Sequence, residues 1–530
     1  MIKKLKIIQL ATLISCVFLQ TSCANNKLKV AQHDVDTLII NGQVYTGVSQ
    51  QAERLDIAIC GERICGLYPT NQHNITATNI INAENKIVSP GFIDPHTHSL
   101  AELYSKDKNH NLNYLTQGVT TVVNGNDGEG PVDIQKAALA LESNGIGTNV
   151  ALYVGHGSVR EKVMGRSPRH STPEELIEMS ALLTKAMVDG AFGLSTGLYY
   201  VPGSFASTTE VVTLAKIASQ YHGVYDTHLR DESTFNIGFN AALDEAIHIA
   251  ESANIHLHIA HIKALGVDVW GQSTAAIEKI QKAQGKGISI SADQYPWLAS
   301  GTKLHSAIMP KWAMADSKQA FYQRLNNPEL STKLRSEIKE NIRRRGGANS
   351  LLITAFKEPS IVGLTLAEIA TKRSTDAITA AMQLVQEDDV RIASFNMSPT
   401  DVETFMSQPW VVTSSDGTNG HPRKYASFPK KYQKYVKEKG ILSLSEFIKQ
   451  SSSKTAQILG LADRGQIKQN YKADIIIFDP ESFSANATFS KWNSYSTGVE
   501  HVIVNGVTVI SESNYLNKLA GKFLRKNSSY

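Results

Sequence analysis

Between residues 86 and 417, strand-like runs alternate with helical patterns, and no other feature limits the fold of this chain as much. The runs lie at 86–98, 119–127, 149–157, 191–197, 223–230, 256–263, 288–295 and 410–417. Parallel strands need a long crossover, usually a helix, between them. Eight such units close a (β/α)8 barrel, so the predicted class is α/β with a TIM-like barrel. One crossover helix is explicit. Thr172-Pro173-Glu174-Glu175 forms a capping box with proline at the first helical position, and Leu176, Met179, Leu183 and Met187 follow at helical spacing.

Outside this region the texture changes. Short β-rich pieces broken by turn residues fill 36–88 and return at 473–478 and 501–506. The two ends are expected to fold together as one small β-sandwich, its parts at 24–90 and 455–530, around a barrel at 91–454. Residues from about 299 to 390 exceed what a crossover needs and read as an insertion. It either covers the active site or forms a surface subdomain.

A chain of 530 residues is long enough for a barrel plus an accessory domain. The formal charge of +4 is small, and no Lys/Arg cluster is interleaved with aromatics, so nucleic acid is not an expected partner. The basic run Arg343-Arg344-Arg345 reads as a solvated helix end. The N-terminus carries Lys3, Lys4 and Lys6, then an apolar run from Ile7 to Leu19 that is too short to span a membrane. This is the pattern of an export signal, 1–23, with a lipoprotein cysteine. Cys23 is the favoured lipid site and Cys16 the alternative, which predicts a periplasmic domain touching the membrane only through its anchor. Cys60 and Cys65 flank a short turn and are placed to face each other.

In a parallel barrel, residues at the C-terminal strand ends converge on one mouth. His96 and His98 end the first run, and alternate strand residues share a face, so both imidazoles aim at one point. Asp127 ends the second run, His228 the fifth, His261 the sixth and Asp416 the eighth. Each alone is readable as a satisfied polar residue; together they predict a metal centre. Imidazole plus carboxylate suits Zn²⁺ first, as one or two ions, with Mn, Fe, Co or Ni as alternatives. Such an ion acidifies water and polarises a carbonyl. Amide hydrolysis also needs a proton carrier, and Asp416 is the candidate; its plain alternative is a turn aspartate before Gly417.

An ordered set of motifs now carries a resemblance. Gly91-Phe92-Ile93-Asp94-Pro95-His96-Thr97-His98, Gly193-Leu194-Ser195-Thr196-Gly197, Thr227-His228-Leu229-Arg230-Asp231-Glu232, His261-Ile262-Lys263, Tyr295-Pro296-Trp297, and Ser415-Asp416-Gly417 with His421-Pro422-Arg423 span most of the chain. It resembles the amidohydrolase superfamily, and within it the N-acyl-D-amino-acid deacylases. The resemblance implies metal ligation by His96 and His98 on one side and His228 and His261 on the other, with Asp416 as base and acid. It also implies that Lys263, Tyr295 and Arg423 hold the free carboxylate of a small-molecule substrate. Two departures stand out. Where the deacylases bridge their metals with a cysteine, this chain has Asp127, with Glu129 in reserve, and Ala299-Ser300-Gly301 reverses the family's Gly-Ser order. Competing expectations are a cyclic-amide hydrolase of the dihydroorotase or hydantoinase kind, a dipeptidase for unusual linkages, and a binding lipoprotein without turnover.

Overall fold

The computed structural model describes residues 35–526, so the export signal and both candidate lipid sites lie outside the described residues. Eight parallel strands form a ring: β1 (Phe92–Asp94), β2 (Val119–Asn124), β3 (Asn149–Leu152, resuming at Val154–Gly155), β4 (Gly193–Gly197), β5 (Val224–His228), β6 (His256–Ile259), β7 (Ile290–Gln294) and β8 (Val411–Thr413). Each pairs with the next in parallel register. The ring closes where the Asp416 N–H donates to the His96 carbonyl at 2.9 Å and Thr97 bridges to Gly417. Nearly every strand residue is buried, as a sheet covered by helices requires. The helix Pro173–Val188 carries its capping box and buries Met179, Leu183 and Met187, while Leu176 packs at the edge of the same core.

The run at 86–98, read as one strand, is two. Ile87–Pro90 pairs with Ile475–Phe478, whereas Phe92–Asp94 pairs with β2. Gly91 makes the passage between sheets possible, because a Cβ there would lie 2.2 Å from Thr120 Oγ1. Only a residue without a side chain clears that contact.

Strands from both ends of the chain share one six-stranded sheet, built from Gln43–Val44, Ile87–Pro90, Ile475–Phe478, Val499–Val504, Val507–Ser511 and Asn514–Tyr515. A four-stranded sheet of Arg63–Pro69, Leu55–Cys60, Val35–Ile40 and Ala77–Asn82 faces it. Ile39, Ile57 and Ile59 from one sheet meet Val88, Ile475 and Ile503 from the other in a common apolar core. Cys60 and Cys65 form a disulfide across the turn between two of these strands.

The segment after β7 builds its own three-stranded antiparallel sheet, in the order Ala299–Lys303, Arg391–Phe395, Leu351–Ala355. Helices around it enclose a separate core that includes Leu304, Ile308, Leu334, Ile338, Leu366 and Ile392. Ser300, Gly301, Thr302, Lys303, Ser306, Arg345 and Arg391 of this unit line the cavity at the barrel mouth. One expectation is overturned here. Arg345 is not part of a solvated helix end: it is 2 % exposed and turned inward, while Arg343 remains at the surface. The helix Pro328–Arg344 ends against the barrel mouth, so the residue after its last turn meets the cavity wall instead of water.

Candidate metal centre

The strand ends bring the six expected ligands together. His96, His98, Asp127 and Asp416 offer ligand atoms within 4.8 Å of one another, and so do Asp127, His228 and His261. Asp127 belongs to both groups. Its Oδ1 lies 3.6 Å from His96 Nε2, 3.5 Å from His228 Nδ1 and 3.3 Å from His261 Nε2, and its Oδ2 lies 3.5 Å from His98 Nε2. A carboxylate standing between two pairs of imidazoles is in the position of a shared ligand. Glu129, held in reserve at the sequence level, is exposed on the cavity rim and outside both groups.

Local backbone explains how these side chains reach one point. Asp127, His261 and Asp416 all have positive φ, at 58°, 37° and 46°. Asp and His tolerate this left-handed region better than most residues, and each turn swings a side chain from the strand end over the barrel axis. The Gly193–Gly197 motif supports the Asp127 turn from the next layer. Gly128 N–H donates to Ser195 Oγ at 3.1 Å, and a Cβ on Gly197 would meet the Asp127 carbonyl at 2.0 Å.

The electrostatics fit a cation. Both ring nitrogens of His96, Nε2 of His98 and Oδ1 of Asp127 are buried without a hydrogen-bond partner among the described residues. Orphaned polar atoms of this kind are costly, and a divalent ion is the group that would satisfy lone pairs from imidazoles and a carboxylate together. Burial opposes charge on His96, yet the carboxylates of Asp127 and Asp293 outweigh it and hold its pKa well above the usual histidine value. His261 is pushed up to about 9, because Glu232, Asp127 and Asp416 outweigh burial and Lys263. Burial lowers His228. Burial opposes ionisation of Asp416 too, but Arg423 and the nearby histidines hold its carboxyl below the usual range.

Behind the ligands stand acids that the sequence reading did not single out. Glu232 Oε1 is 3.2 Å from His261 Nδ1, and its Oε2 is 3.6 Å from His228 Nε2. These are the ring atoms turned away from Asp127, so one carboxylate faces both imidazoles from behind, with Lys263 Nζ 2.7 Å from the same His261 Nδ1. Asp293 faces His96 in the same way, its Oδ2 3.6 Å from Nδ1 and beyond hydrogen-bond reach, and is itself tied to His258 Nε2 at 3.1 Å. Only the motif Arg230-Asp231-Glu232 hinted at Glu232, and nothing in its spacing indicated a role.

The three residues expected to grip a carboxylate are also gathered. Lys263 Nζ is 2.6 Å from Glu232 Oε1, and Arg423 Nη1 is 2.7 Å from Asp416 Oδ2. Both cations lie over the ring of Tyr295, at 5.8 and 4.7 Å, and the buried Tyr295 hydroxyl has no partner among the described residues. Lys263 and Arg423 line a cavity of about 310 Å³ whose other walls include Asp127, His228, Tyr199 and Tyr200. In the reversed Ser300-Gly301 pair, Ser300 Oγ lies 3.1 Å from the Asn396 side-chain amide, and the Gly301 carbonyl accepts from Arg423 Nη2 at 3.1 Å.

A closed parallel barrel with histidines and acids at its rim, joined to a sandwich made from both ends, defines a metallo-dependent hydrolase fold. A model described as "Amidohydrolase family" matches residues 362–510, and relatives are similar to the chain almost end to end. The D-aminoacylase of Alcaligenes xylosoxydans xylosoxydans is 27% identical over 93% of this chain and 98% of its own. The N-acyl-D-glutamate deacylase of the same organism is 29% identical over 94% and 98%. The crystal structure of N-acyl-D-glutamate deacylase from Bordetella bronchiseptica, complexed with zinc and a phosphonate mimic of the reaction's tetrahedral intermediate, superposes with a TM-score of 0.79 at 27% identity. That match covers 93% of this chain and all of the other.

Proposed function

We propose that this protein is a metal-dependent deacylase that hydrolyses the amide bond of N-acyl-D-amino acids, releasing a carboxylate and a free D-amino acid. The observation that carries the reading is the placement of Asp127 between two histidine pairs, with Asp416 beside them in the same cavity as Lys263 and Arg423. Relatives that match the chain almost end to end include D-aminoacylase and the N-acyl-D-glutamate and N-acyl-D-aspartate deacylases, and this supports the substrate class.

His96, His98, Asp127, His228, His261 and Asp416 would hold one or two divalent ions, zinc first. A bound ion supplies acidified water and a polarised amide carbonyl. Asp416 is the proton carrier: its Oδ1, 3.3 Å from His98 Nε2, takes the proton of the attacking water and returns it to the departing amine nitrogen. Arg423 and Lys263 orient the substrate by its carboxylate, a planar guanidinium fork on one side and a point charge on the other, and Tyr295 adds a directional hydroxyl. Glu232 and Asp293 stand behind the imidazoles.

The test is amine release from a panel of N-acetyl-D- and N-acetyl-L-amino acids by the zinc-loaded protein. The reading expects D-forms to be cleaved in preference to L-forms; equal rates, or none across the panel, would defeat it. Export and lipid anchoring at Cys23 complete the proposal. They are supported by the N-terminal pattern and by the Cys60–Cys65 disulfide, a bond that persists in oxidising compartments. Metabolic labelling with a radioactive fatty acid should mark the wild type and not Cys23→Ala.

A further inference from the structure

The cavity contains a buried cation that the deacylase reading leaves unused. Arg345 lines the same wall as Tyr199 and Phe235, and its guanidinium lies over the Phe235 ring at 5.2 Å. Its Nε donates to the Ala307 carbonyl at 2.9 Å and its Nη2 to the Tyr199 hydroxyl at 3.3 Å. With the Asn396 amide turned to satisfy its neighbours, Nη1 donates to Asn396 Oδ1 at 3.2 Å. All three acceptors are uncharged. A guanidinium has five N–H donors, so two remain beyond these contacts.

No carboxylate among the described residues lies within ion-pair distance of Arg345, whereas the other cations of the cavity are mostly matched. Lys263 pairs with Glu232, Arg423 with Asp416 and Lys303 with Asp389. Arg391 has no ion pair among the described residues either, but it is partly exposed. Lys311 Nζ sits 3.5 Å above the Tyr199 ring, donates to the Ser306 carbonyl at 3.1 Å, and has no ion-pair partner among the described residues. Asp231 is near but committed, its two oxygens accepting backbone N–H groups from Ser233, Asn236 and Gly238. An unpaired buried charge is costly to keep, and one on the wall of a binding cavity is neutralised most simply by the ligand.

We infer that Arg345 is a specificity residue that receives a second anionic group of the substrate, beyond the carboxylate held by Lys263 and Arg423. The inference rests on the deacylase reading and deepens it. The anion is a carboxylate or its equivalent, carried either on the amino-acid side chain or at the far end of the acyl chain.

Three substrates separate these sources on the zinc-loaded full chain: N-acetyl-D-glutamate, N-succinyl-D-leucine and N-acetyl-D-leucine. One of the dianionic compounds is expected to exceed N-acetyl-D-leucine in kcat/KM by roughly tenfold to a hundredfold, the range of a charged hydrogen bond. Preference for the first places the anion on the side chain, and preference for the second on the acyl group. Arg345→Met should erase most of that preference, mainly through KM, and Arg345→Lys should restore part of it, which a merely structural role would not do. Melting temperatures of both variants establish that they fold. Equal kcat/KM for all three substrates in the wild type overturns the inference and leaves the deacylase reading standing. If nothing in the panel is cleaved, the deacylase reading falls, and calorimetric binding decides the matter: N-acetyl-D-glutamate and N-succinyl-D-leucine both binding no more tightly than N-acetyl-D-leucine overturns the role of Arg345 as well.

Discussion

Arg423 Nη1 lies 2.7 Å from Asp416 Oδ2, so the residue proposed to grip the substrate carboxylate is also the ion-pair partner of the proposed proton carrier. Both side chains are buried, where one partner left alone is strongly unfavourable. Arg423→Lys keeps the charge and loses the fork. It is expected to raise KM and lower kcat together, with kcat/KM falling on the order of 10- to 100-fold. A change confined to KM in steady-state kinetics would show that the contact with Asp416 does not matter to turnover.

Glu232 touches Lys263 on one side and the outer nitrogens of His228 and His261 on the other. Glu232→Gln should therefore weaken metal retention by His228 and His261, on the order of tenfold or more in affinity, while sparing His96 and His98. Zinc titration against a competing chelator checks this, and two unchanged affinities would argue against a brace.

Proton release on metal loading follows from the raised histidines. His261 is pushed up to about 9, and the carboxylates of Asp127 and Asp293 push His96 the same way against burial, so near pH 7.5 a metal must displace a proton from His261. Zinc affinity should then climb as pH rises toward 9, and calorimetry in buffers of different ionisation enthalpy should report protons released. Buffer-independent heats would contradict the assignment.

Lys431 offers a test of stability away from the mouth. It is fully buried, with only Thr413 Oγ1 and Gln450 Oε1 as acceptors among the described residues, at 2.9 Å each, and burial pulls its pKa from 10.5 down to about 7. The unfolded chain holds this proton up to about pH 10, and the folded chain gives it up near 7. Folding therefore gains stability from this site as pH rises between those values, and the full cost is present below pH 7. Lys431→Met should be more stable relative to wild type at pH 7 than at pH 10 in denaturant melts. A difference independent of pH would contradict a buried neutral lysine.

Much of this site was visible in the sequence because a barrel converts linear order into convergence. His96 and His98 share a face by strand alternation, and His228, His261 and Asp416 needed only the rule that C-terminal strand ends meet. The break of the first run at Gly91 was hidden, since apolar character continues across it while hydrogen-bond partners change. Glu232, Asp293 and Arg345 were hidden for a different reason. Their meaning lies in which groups they face, and Arg345 meets Tyr199 from 146 positions away, with an insertion's whole fold deciding the approach. A run of three arginines reads as surface until the helix carrying it is docked.

Metal content per chain tests most directly whether Asp127 is the ligand shared by two histidine pairs. Elemental analysis of the purified zinc-loaded protein should show bound metal in the wild type and a clear loss in Asp127→Ala, with cleavage of N-acyl-D-amino acids falling in step. Undiminished metal in a folded Asp127→Ala protein would contradict that role.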